Sequence, residues 1–376
     1  MQMTSFNVAV VGLGKMGISH MAIARRTPGL RLGAVCDASS LLGNAVARYT
    51  GTPFVQRFDD LMTMPGLDGV IIATPTRLHI DMIRKAVRRG LHVFCEKPMT
   101  LTIAESQEAV SLVRQAGVAG QIGYHNRFVG TFAETKRLLG IGAIGRVRHV
   151  LAEAYGPVVL KPAGGTWRSS AGEGGGCLFD YAAHPLNLMN WYLGVPEDCR
   201  GAQLPRQWSS DVEDAVYATL NFASGATGQV SVNWADETAR KMTTRISLWG
   251  DHGKIVVDRQ ELHVFIGAGG AAQPGYRQGW TVRNITELTP HPAFYLRGEE
   301  YSAQMEGFAQ AMATPSQPYV NDFASAAGTD LTLDLIRVAA QRHAEPPAVT
   351  ATLKPAPVRR LTLFGRRTGH VGSSAT

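Results

Sequence analysis

Gly12-Leu13-Gly14-Lys15-Met16-Gly17 decides the fold, because it fits the pattern G-x-G-x-x-G between an apolar run at residues 7–11 and a helix-period segment at residues 15–26. In such a strand–turn–helix unit, the first glycine allows a tight turn, the second lets the backbone approach a pyrophosphate, and the third lets helix and strand pack closely. Free N–H groups and the positive end of the helix dipole then meet the phosphates. The stretch therefore predicts a dinucleotide-binding βαβ unit.

An acidic residue follows the second predicted strand, where a ribose ligand is expected. The segment Val35-Cys36-Asp37 ends about twenty residues past Gly17, and a carboxylate at this point hydrogen-bonds the ribose hydroxyls. It also repels a 2′-phosphate, and the following Ala38-Ser39-Ser40 contains no arginine that would accept one. The sequence thus favours NAD over NADP. A ligand-free glycine turn beside a solvated Asp37 is the alternative.

The first 124 residues alternate strand-like and helix-like segments, which is the pattern of a doubly wound α/β fold with a parallel sheet. Short runs rich in Val and Ile predict strands at residues 7–11, 30–36, 69–73, 92–95 and 119–123. Helical periodicity predicts helices at residues 15–26, 39–50, 78–90 and 103–116. We expect residues 1–124 to form a Rossmann domain.

After residue 124 the pattern changes to that of an α+β domain, residues 125–341. Alternating apolar residues predict strands at 147–155, 215–222, 227–234, 244–249, 254–257 and 262–266, and helices at 178–193, 299–313 and 323–340. Short turns between consecutive strands indicate a large, open, mostly antiparallel sheet. A sheet with one free face needs a cover, so we expect a homodimer or homotetramer formed through it.

Composition and charge restrict the classes of function. Of 376 residues, 45% are hydrophobic and 18% are charged, which excludes a disordered chain. No apolar run reaches the roughly 18 residues that a membrane span needs. Six basic residues and one acidic residue lie between Arg342 and Thr376, and they account for +5 of the net charge of +7. Residues 342–376 are therefore predicted to form a disordered or partner-binding basic tail, and no nucleic-acid partner is expected.

The cysteines and the start of the chain indicate where the protein works. The four cysteines are scattered without C-x-x-C spacing, at Cys36, Cys95, Cys177 and Cys199. This spacing predicts reduced thiols and no metal site. The early apolar stretch at residues 7–11 is short and has no positive residue before it. A secretory signal needs a charged start and a longer apolar run, so none is expected. We expect a cytoplasmic protein.

Two turns at the carboxyl ends of predicted parallel strands should border the dinucleotide. One contains Ala73-Thr74-Pro75 and His79, and the other contains Glu96-Lys97-Pro98. Pro98 fixes its turn and gives Lys97 a defined direction, and a desolvated lysine can polarise a carbonyl or hold an alcohol oxygen. A solvated lysine at a strand end and a surface position for His79 are the alternatives.

A glycine-rich turn precedes the second group of candidate catalytic residues. Gly174-Gly175-Gly176 can approach a ligand closely, and Asp180 and His184 share one helix face if the helix has begun by residue 180. An imidazole moves protons near neutral pH, and an acid one turn away can orient it or bind a substrate hydroxyl. Pro185 leaves the carbonyl of Tyr181 unpaired and predicts a kink. A purely structural Asp–His pair is the alternative.

In their order along the chain, these motifs resemble those of the Gfo/Idh/MocA oxidoreductases, the family that includes glucose-fructose oxidoreductase and inositol dehydrogenase. Gly123-Tyr124-His125-Asn126-Arg127-Phe128 and Trp167-Arg168 are similar to its intermediate landmarks. The resemblance covers roughly residues 5–340. It implies an NAD(P)-dependent dehydrogenase that acts on a secondary alcohol of a sugar, a cyclitol or a sugar derivative, including nucleotide-linked ones.

The resemblance also implies roles for individual residues. Lys97 would hold and polarise the reacting oxygen, His184 would take its proton as hydride passes to nicotinamide C4, and Asp180 would position the substrate or His184. Further candidate substrate contacts are Tyr124, Asn126, Arg127, Trp167 and Arg168. Candidate cofactor contacts are Gly12, Leu13, Gly14, Lys15, Met16, Gly17, Asp37, Ala73, Thr74, Pro75, His79, Glu96 and Lys97. Many members carry an Asp where this chain has Asn187.

Two other functions use the same framework. Some relatives hold the cofactor tightly and achieve net hydrolysis or elimination of a glycoside through transient oxidation. Others are catalytically silent proteins that sense the dinucleotide. The presence of both Lys97 and His184 argues against a silent protein here, because a sensor needs neither side chain.

Overall fold

The structure is a computed structural model that describes residues 5–159, 167–271, 273–290 and 294–343. It contains two sheets that follow one another along the chain. The predicted basic tail lies outside the described residues, apart from its first two positions, which end a helix. The division of the chain at residue 124 remains a prediction.

The first sheet has six parallel strands in the spatial order β3-β2-β1-β4-β5-β6. The strands are β1 (Phe6–Val11), β2 (Leu30–Cys36), β3 (Phe54–Val55), β4 (Gly69–Ile72), β5 (His92–Cys95) and β6 (Gly120–Ile122). This order is that of the Rossmann fold, whose ligands bind outside the carboxyl ends of the strands. The predicted Rossmann fold is confirmed, and only the two-residue β3 was not predicted.

The helices between these strands are α1 (Lys15–Ala24), α2 (Ser40–Thr50), α3 (Phe58–Leu61), α4 (His79–Arg88) and α5 (Ile103–Ala116). Local sequence sets their ends. The Thr102 hydroxyl caps α5 by accepting from the Glu105 N–H, and Gly117 ends the helix in the left-handed conformation. The predicted helices are confirmed to within two residues at each end, and the single-turn α3 was not predicted.

The second sheet has eight strands in the order β14-β13-β12-β11-β7-β10-β9-β8. The strands are β7 (Val147–Tyr155), β8 (Asp198–Gln203), β9 (Ala215–Asn221), β10 (Thr227–Asn233), β11 (Arg245–Gly250), β12 (Gly253–Asp258), β13 (Glu261–Ile266) and β14 (Gly279–Asn284). All neighbours are antiparallel except β7 and β10, so the predicted mostly antiparallel sheet is confirmed. Both edge strands were missed, since β8 lacks the apolar alternation of the others and β14 has only two apolar side chains, Trp280 and Val282.

Helices cover one face of this sheet, and its other face is exposed. The helices in this part of the chain are α6 (Gly130–Gly140), α7 (Ala183–Leu193), α8 (Ile285–Leu288), α9 (Glu299–Ala313) and α10 (Phe323–His343). The uncovered face carries Tyr217, Phe265, Trp280 and Val282, whose side chains are exposed. Phe265 and Trp280 lie opposite each other on β13 and β14.

Helix α9 packs on the first sheet although it follows the second one in the chain. Met305, Phe308 and Met312 share a buried cluster with Val10 and Phe94. The rings of Phe94 and Phe308 meet edge to face with their centroids 5.8 Å apart. The chain therefore returns to complete the core of the nucleotide-binding part.

Two searches of the described residues bear on other functions. No helix there is long and apolar enough to cross a membrane. The same residues contain no group of three or more His, Cys, Asp or Glu side chains that could hold a metal ion.

Candidate active site

The glycine turn after β1 has the geometry of a pyrophosphate site. Gly12 has a positive φ of 88°, and a Cβ atom there would lie 2.7 Å from the Ala73 carbonyl oxygen. A Cβ on Gly17 would lie 1.6 Å from the Gly12 oxygen, so helix α1 can pack against the turn only without a side chain. A Cβ on Gly14, in contrast, would meet nothing within 4 Å. The open space at the start of α1 fits a bound phosphate.

Asp37 is held beside this turn at the end of β2. Its carboxylate accepts hydrogen bonds from the Leu13 N–H at 2.6 Å and from the Ser39 N–H at 2.8 Å. The acid is therefore fixed where a dinucleotide presents its ribose. The other predicted cofactor contacts lie at the same edge of the sheet. Leu13, Lys15 and Met16 follow β1, and Ala73, Thr74 and Pro75 follow β4.

Asp180 stands in a turn of π-helix. Residues Leu178–Ala182 form this wide turn, which runs directly into α7, and Pro185 is the third residue of α7. The kink predicted beside Pro185 thus takes the form of a π-helical turn, in which the backbone bonds are re-spaced without breaking the helix. Such turns are frequent at functional sites.

Asp180 joins two cations that come from different parts of the chain. Its Oδ1 accepts from Lys97 Nζ at 2.8 Å, and its Oδ2 accepts from Arg168 Nε at 2.7 Å. Lys97 and Asp180 are well buried, with 11% and 8% of their side chains exposed. Burial alone would raise the pKa of Asp180, but the charges of Lys97 and Arg168 outweigh it and lower the pKa below its usual value. The carboxylate therefore stays charged and holds the Lys97 ammonium group in place.

His184 lies beside this pair. Its ring centroid is 5.0 Å from that of His125 and 6.2 Å from that of Tyr124, and its buried Nδ1 has no hydrogen-bond partner among the described residues. Burial lowers the pKa of His184 well below its usual value, and the nearby charges of Lys97 and Arg259 lower it further. The structure thus pairs Lys97 with Asp180 and places His184 within electrostatic reach of Lys97.

Comparison with known proteins identifies the family of this chain. Residues 6–124 match the oxidoreductase family with an NAD-binding Rossmann fold, and residues 132–256 match the Gfo/Idh/MocA C-terminal domain. The rhizopine catabolism protein MocA of Rhizobium meliloti is 30% identical over 61% of this chain and 72% of its own length. The chain belongs to the Gfo/Idh/MocA oxidoreductase family.

Two further relatives show how far the likeness extends. The scyllo-inositol 2-dehydrogenase (NAD(+)) of Bacillus subtilis is 29% identical over 84% of this chain and 88% of its own length. A solved structure of levoglucosan dehydrogenase in complex with NADH superimposes with a TM-score of 0.80 at 24% identity, covering 90% of this chain and 98% of that one. The family resemblance and the fold predicted from the motifs are confirmed, and so is NAD as the cofactor of this Gfo/Idh/MocA protein.

His79 and Glu96, two predicted cofactor contacts, are bonded to the protein itself. The His79 ring lies between backbone carbonyls, with Nε2 2.9 Å from the Thr74 oxygen and Nδ1 3.1 Å from the Pro98 oxygen. Glu96 Oε1 lies 2.6 Å from His20 Nε2. His79 thus joins the turns after β4 and β5, and Glu96 joins the turn after β5 to α1. Their direct contact with the cofactor stays a prediction.

Arg127, a predicted substrate contact, is bonded to Asn187 of α7. Its Nε and Nη2 donate to the side-chain and backbone oxygens of Asn187 at 2.8 and 3.0 Å, and its guanidinium lies over the Trp191 ring. Burial lowers the pKa of Arg127 to about 10. Asn187, the residue that departs from the common family pattern, is therefore the partner of a buried arginine.

The other predicted substrate contacts form two groups. The Arg168 guanidinium lies 4.7 Å from the centroid of the Trp167 ring, and its Nε is bonded to Asp180. Tyr124 and Asn126 are buried, and the Tyr124 hydroxyl and Asn126 Nδ2 lack partners among the described residues. Donors left in this state fit contacts with a ligand, although substrate binding by these residues stays a prediction.

Sequence reasoning missed a cluster behind His184, formed by His125, Arg259, Glu300 and Tyr301. The His125 ring stacks on Tyr301 with centroids 4.8 Å apart, and Arg259 forms an ion pair with Glu300. His125 lies in a stretch that the family resemblance had already marked. Arg259 and Glu300 carry no signal, because each stands among other charged residues, one at a turn and one at a helix start.

Proposed function

We propose that this Gfo/Idh/MocA oxidoreductase is an NAD-dependent dehydrogenase that interconverts a secondary alcohol and a ketone on a sugar, a cyclitol or a sugar derivative. The observation that carries the proposal is the 2.8 Å pair between Lys97 and Asp180 beside the buried His184. These groups supply a hydrogen-bond donor for an oxygen and a base for its proton. The relatives named for inositol and levoglucosan support the substrate class.

Lys97 is suited to hold the reacting oxygen. An ammonium group has three N–H donors, and Lys97 uses two of them on the backbone and side-chain oxygens of Asp180, at 2.9 and 2.8 Å. The third N–H is left for an oxygen of the substrate. A fixed positive donor stabilises the negative charge that develops on the alcohol oxygen during oxidation.

His184 is suited to take the proton from the same hydroxyl. Burial and the charges of Lys97 and Arg259 lower the pKa of His184, so its imidazole is unprotonated at neutral pH. An unprotonated imidazole accepts a proton when the alcohol is oxidised. Bound NAD supplies the hydride acceptor at C4 of its nicotinamide ring.

Asp37 also supports a preference for NAD over NADP. Its carboxylate is fixed by two backbone N–H groups and would repel the charge of roughly −1.5 to −2 that a 2′-phosphate brings. Steady-state kinetics with both cofactors test this part of the proposal. A higher kcat/KM with NADP would contradict it.

The main test is turnover with a panel of cyclitols, polyols and anhydrosugars, followed by the absorbance of NADH. We expect reduction of NAD with at least one of them. Replacing the base in His184→Asn should lower kcat by roughly 10²- to 10⁴-fold, and Lys97→Met should lower it by roughly 10²- to 10³-fold, as removal of an oxyanion donor does. Lys85→Met is the matched control, because Lys85 is paired with Asp59 on the surface and should leave kcat unchanged.

The same assay separates the other two functions. Consumption of a glycoside without net NADH, with cofactor that copurifies, indicates hydrolysis or elimination through transient oxidation. Binding of NAD without turnover across the panel indicates a silent sensor. Either result would replace the dehydrogenase proposal.

We further propose that the exposed face of the second sheet forms a homodimer or homotetramer. Its exposed side chains include the aromatic residues Tyr217, Phe265 and Trp280, and exposed apolar patches of this kind mark interfaces. Sedimentation velocity should show a dimer or tetramer, and Trp280→Glu should shift it towards the monomer. A monomeric wild-type protein would contradict this. The unpaired cysteines of the described residues support a reducing compartment such as the cytoplasm.

A further inference from the structure

Arg259 lies in the turn between β12 and β13 and reaches His125 and Asn126. This turn is just beyond residues 132–256, which match the family. The turn is fixed, because Asp258 Oδ1 accepts from the N–H groups of Gln260 and Glu261 at 2.8 and 3.0 Å. The guanidinium is paired with Glu300, whose side chain is only 4% exposed. Arg259 is thus a cation held at one place by its backbone and by a buried acid.

Two hydrogen bonds from Arg259 determine the state of two neighbouring side chains. Its Nη1 lies 3.1 Å from His125 Nε2 and 3.3 Å from Asn126 Oδ1. Because a guanidinium only donates, His125 must accept at Nε2 and carry its proton on Nδ1. For the same reason Asn126 must turn its oxygen to Arg259 and its Nδ2 away.

The freed donor of Asn126 has no acceptor. Asn126 is 1% exposed, and Nδ2 has no hydrogen-bond partner among the described residues. A buried amide donor without a partner costs free energy unless a ligand satisfies it. His125, one residue earlier, stacks on Tyr301 and lies 5.0 Å from the ring of His184. One of the two side chains that Arg259 orients, His125, therefore borders the proposed proton acceptor.

We propose that Arg259 is a positioning residue for the reaction, which holds His125 in the Nδ1–H tautomer against His184 and presents Asn126 Nδ2 to an oxygen of the bound molecule. That oxygen belongs to the alcohol substrate or to the nicotinamide carboxamide. The inference rests on the proposed function, since it concerns the same site.

Arg259→Lys and Arg259→Met separate orientation from charge. A single ammonium cannot reproduce the planar donor fork of arginine, so Arg259→Lys should lower kcat/KM for the alcohol by roughly 10- to 100-fold. Its charge remains, so the acid limb of the kcat/KM profile should stay in place. Arg259→Met should lose the same activity and also shift the acid limb to higher pH, because removal of a positive charge raises the pKa of His184.

Several groups besides Arg259 face His184, and neither variant replaces any of them. Lys97 contributes a positive charge from the loop after β5. The rings of Tyr124 and His125 come from the turn after β6. Asp180 lies on the helical turn before His184 and is neutralised by Lys97 and Arg168. The difference between the two pH profiles therefore reports on the charge of Arg259.

A second readout does not depend on turnover. The ¹⁵N chemical shifts of the labelled imidazoles should show His125 as the Nδ1–H tautomer in the wild type, and Arg259→Met should abolish this preference. Arg148→Lys is the matched control, because Arg148 forms a comparable pair with Asp251 on the exposed sheet. It should change neither the kinetics nor the imidazole shifts.

Asn126→Asp serves as the second variant if the Arg259 variants fail to fold. It keeps an acceptor for Arg259 and removes the free donor, although it also adds a negative charge beside Arg259, so kcat/KM should fall at least as far. A rise in KM for the alcohol alone assigns the acceptor oxygen to the substrate, and a rise in KM for NAD assigns it to the carboxamide. Wild-type kcat/KM in Arg259→Lys together with unchanged imidazole shifts in Arg259→Met would overturn the inference. Absence of turnover by the wild-type protein would contradict the proposed function instead. The imidazole chemical shifts would still test whether Arg259 orients His125.

Discussion

Gly14→Ala should remove NAD binding from a protein that still folds. Gly14 is the residue before α1 and has ordinary extended backbone angles, with φ −65° and ψ −174°. Its added Cβ would meet no protein atom within 4 Å. An alanine is a poorer N-cap than glycine but restricts the unfolded chain, and these opposing effects are each about 0.5–1 kcal/mol. The free energy of unfolding without NAD should therefore change by less than about 1 kcal/mol.

The effect on cofactor binding is much larger. At a NAD concentration of 100 times the wild-type Kd, binding stabilises the wild type by about 2.7 kcal/mol. The Cβ occupies the space through which the backbone approaches the pyrophosphate, so we expect Kd to rise by at least 100-fold. At the same concentration the variant then gains about 0.4 kcal/mol or less. Chemical denaturation with and without NAD measures both quantities.

Two glycines provide the matched controls. Gly140→Ala also places a Cβ where nothing lies within 4 Å, but it is remote from the nucleotide turn and should keep the full stabilisation by NAD. In Gly17→Ala the new Cβ overlaps the Gly12 oxygen at 1.6 Å, so this variant should lose roughly 3 kcal/mol before any NAD is added. Stabilisation of Gly14→Ala by NAD to the wild-type extent would refute the assignment of this turn to the pyrophosphate.

Three carboxylates give further predictions. Burial raises the pKa of Asp330 to about 7 from 3.8, so the folded protein loses stability as the pH rises between these two values. The loss between denaturation curves at pH 5 and pH 8 should be about 2.5 kcal/mol, and Asp330→Asn should abolish it. Burial would raise the pKa of Asp214, but hydrogen bonds from Ser209, Trp208 and Trp234 lower it to about 2 from 3.8. Asp214→Asn should therefore lower the free energy of unfolding by about 2 kcal/mol at neutral pH. This difference from the wild type should shrink as the pH falls towards 2. Asp37→Ala should raise the ratio of kcat/KM for NADP to that for NAD by at least about tenfold, because it removes the charge that repels a 2′-phosphate.

Each of these three has a result that would contradict it. For Asp330, it is a variant with the same pH dependence of stability as the wild type. For Asp214, it is a deficit that persists unchanged in acid. For Asp37, it is an unaltered cofactor ratio in a variant that still binds NAD.

The motifs that were found from sequence are those in which neighbours along the chain also act together. Gly12, Gly14 and Gly17 occupy one turn, and the turn geometry alone requires them. Lys97 is set by the strand end and the proline beside it, and Asp180 and His184 are set by one helical segment. The same local logic predicted the buried strands of the first sheet, since apolar runs and short turns are properties of a few consecutive residues.

The parts that were missed depend on how distant segments meet. Nothing in the sequence pairs Lys97 with Asp180, 83 residues away, directs Arg127 towards Asn187, or brings Arg259 to His125. Helix α9 shows the same limit at the level of the fold, because its apolar face predicts a partner but does not say that the partner is the first sheet.

Local sequence patterns were enough to predict a Rossmann half with a dinucleotide turn, a sheet-rich second half and a set of residues able to handle a hydroxyl and its proton. Periodicity, glycines and prolines act over a few residues, so they can be read along the chain. The partner of Lys97, the charges that lower the pKa of His184 and the arginine that orients His125 and Asn126 became known from the three-dimensional arrangement alone. Those contacts form when segments that are distant in the chain pack within a few ångströms of one another. Such distances cannot be predicted from the separation of residues in the sequence.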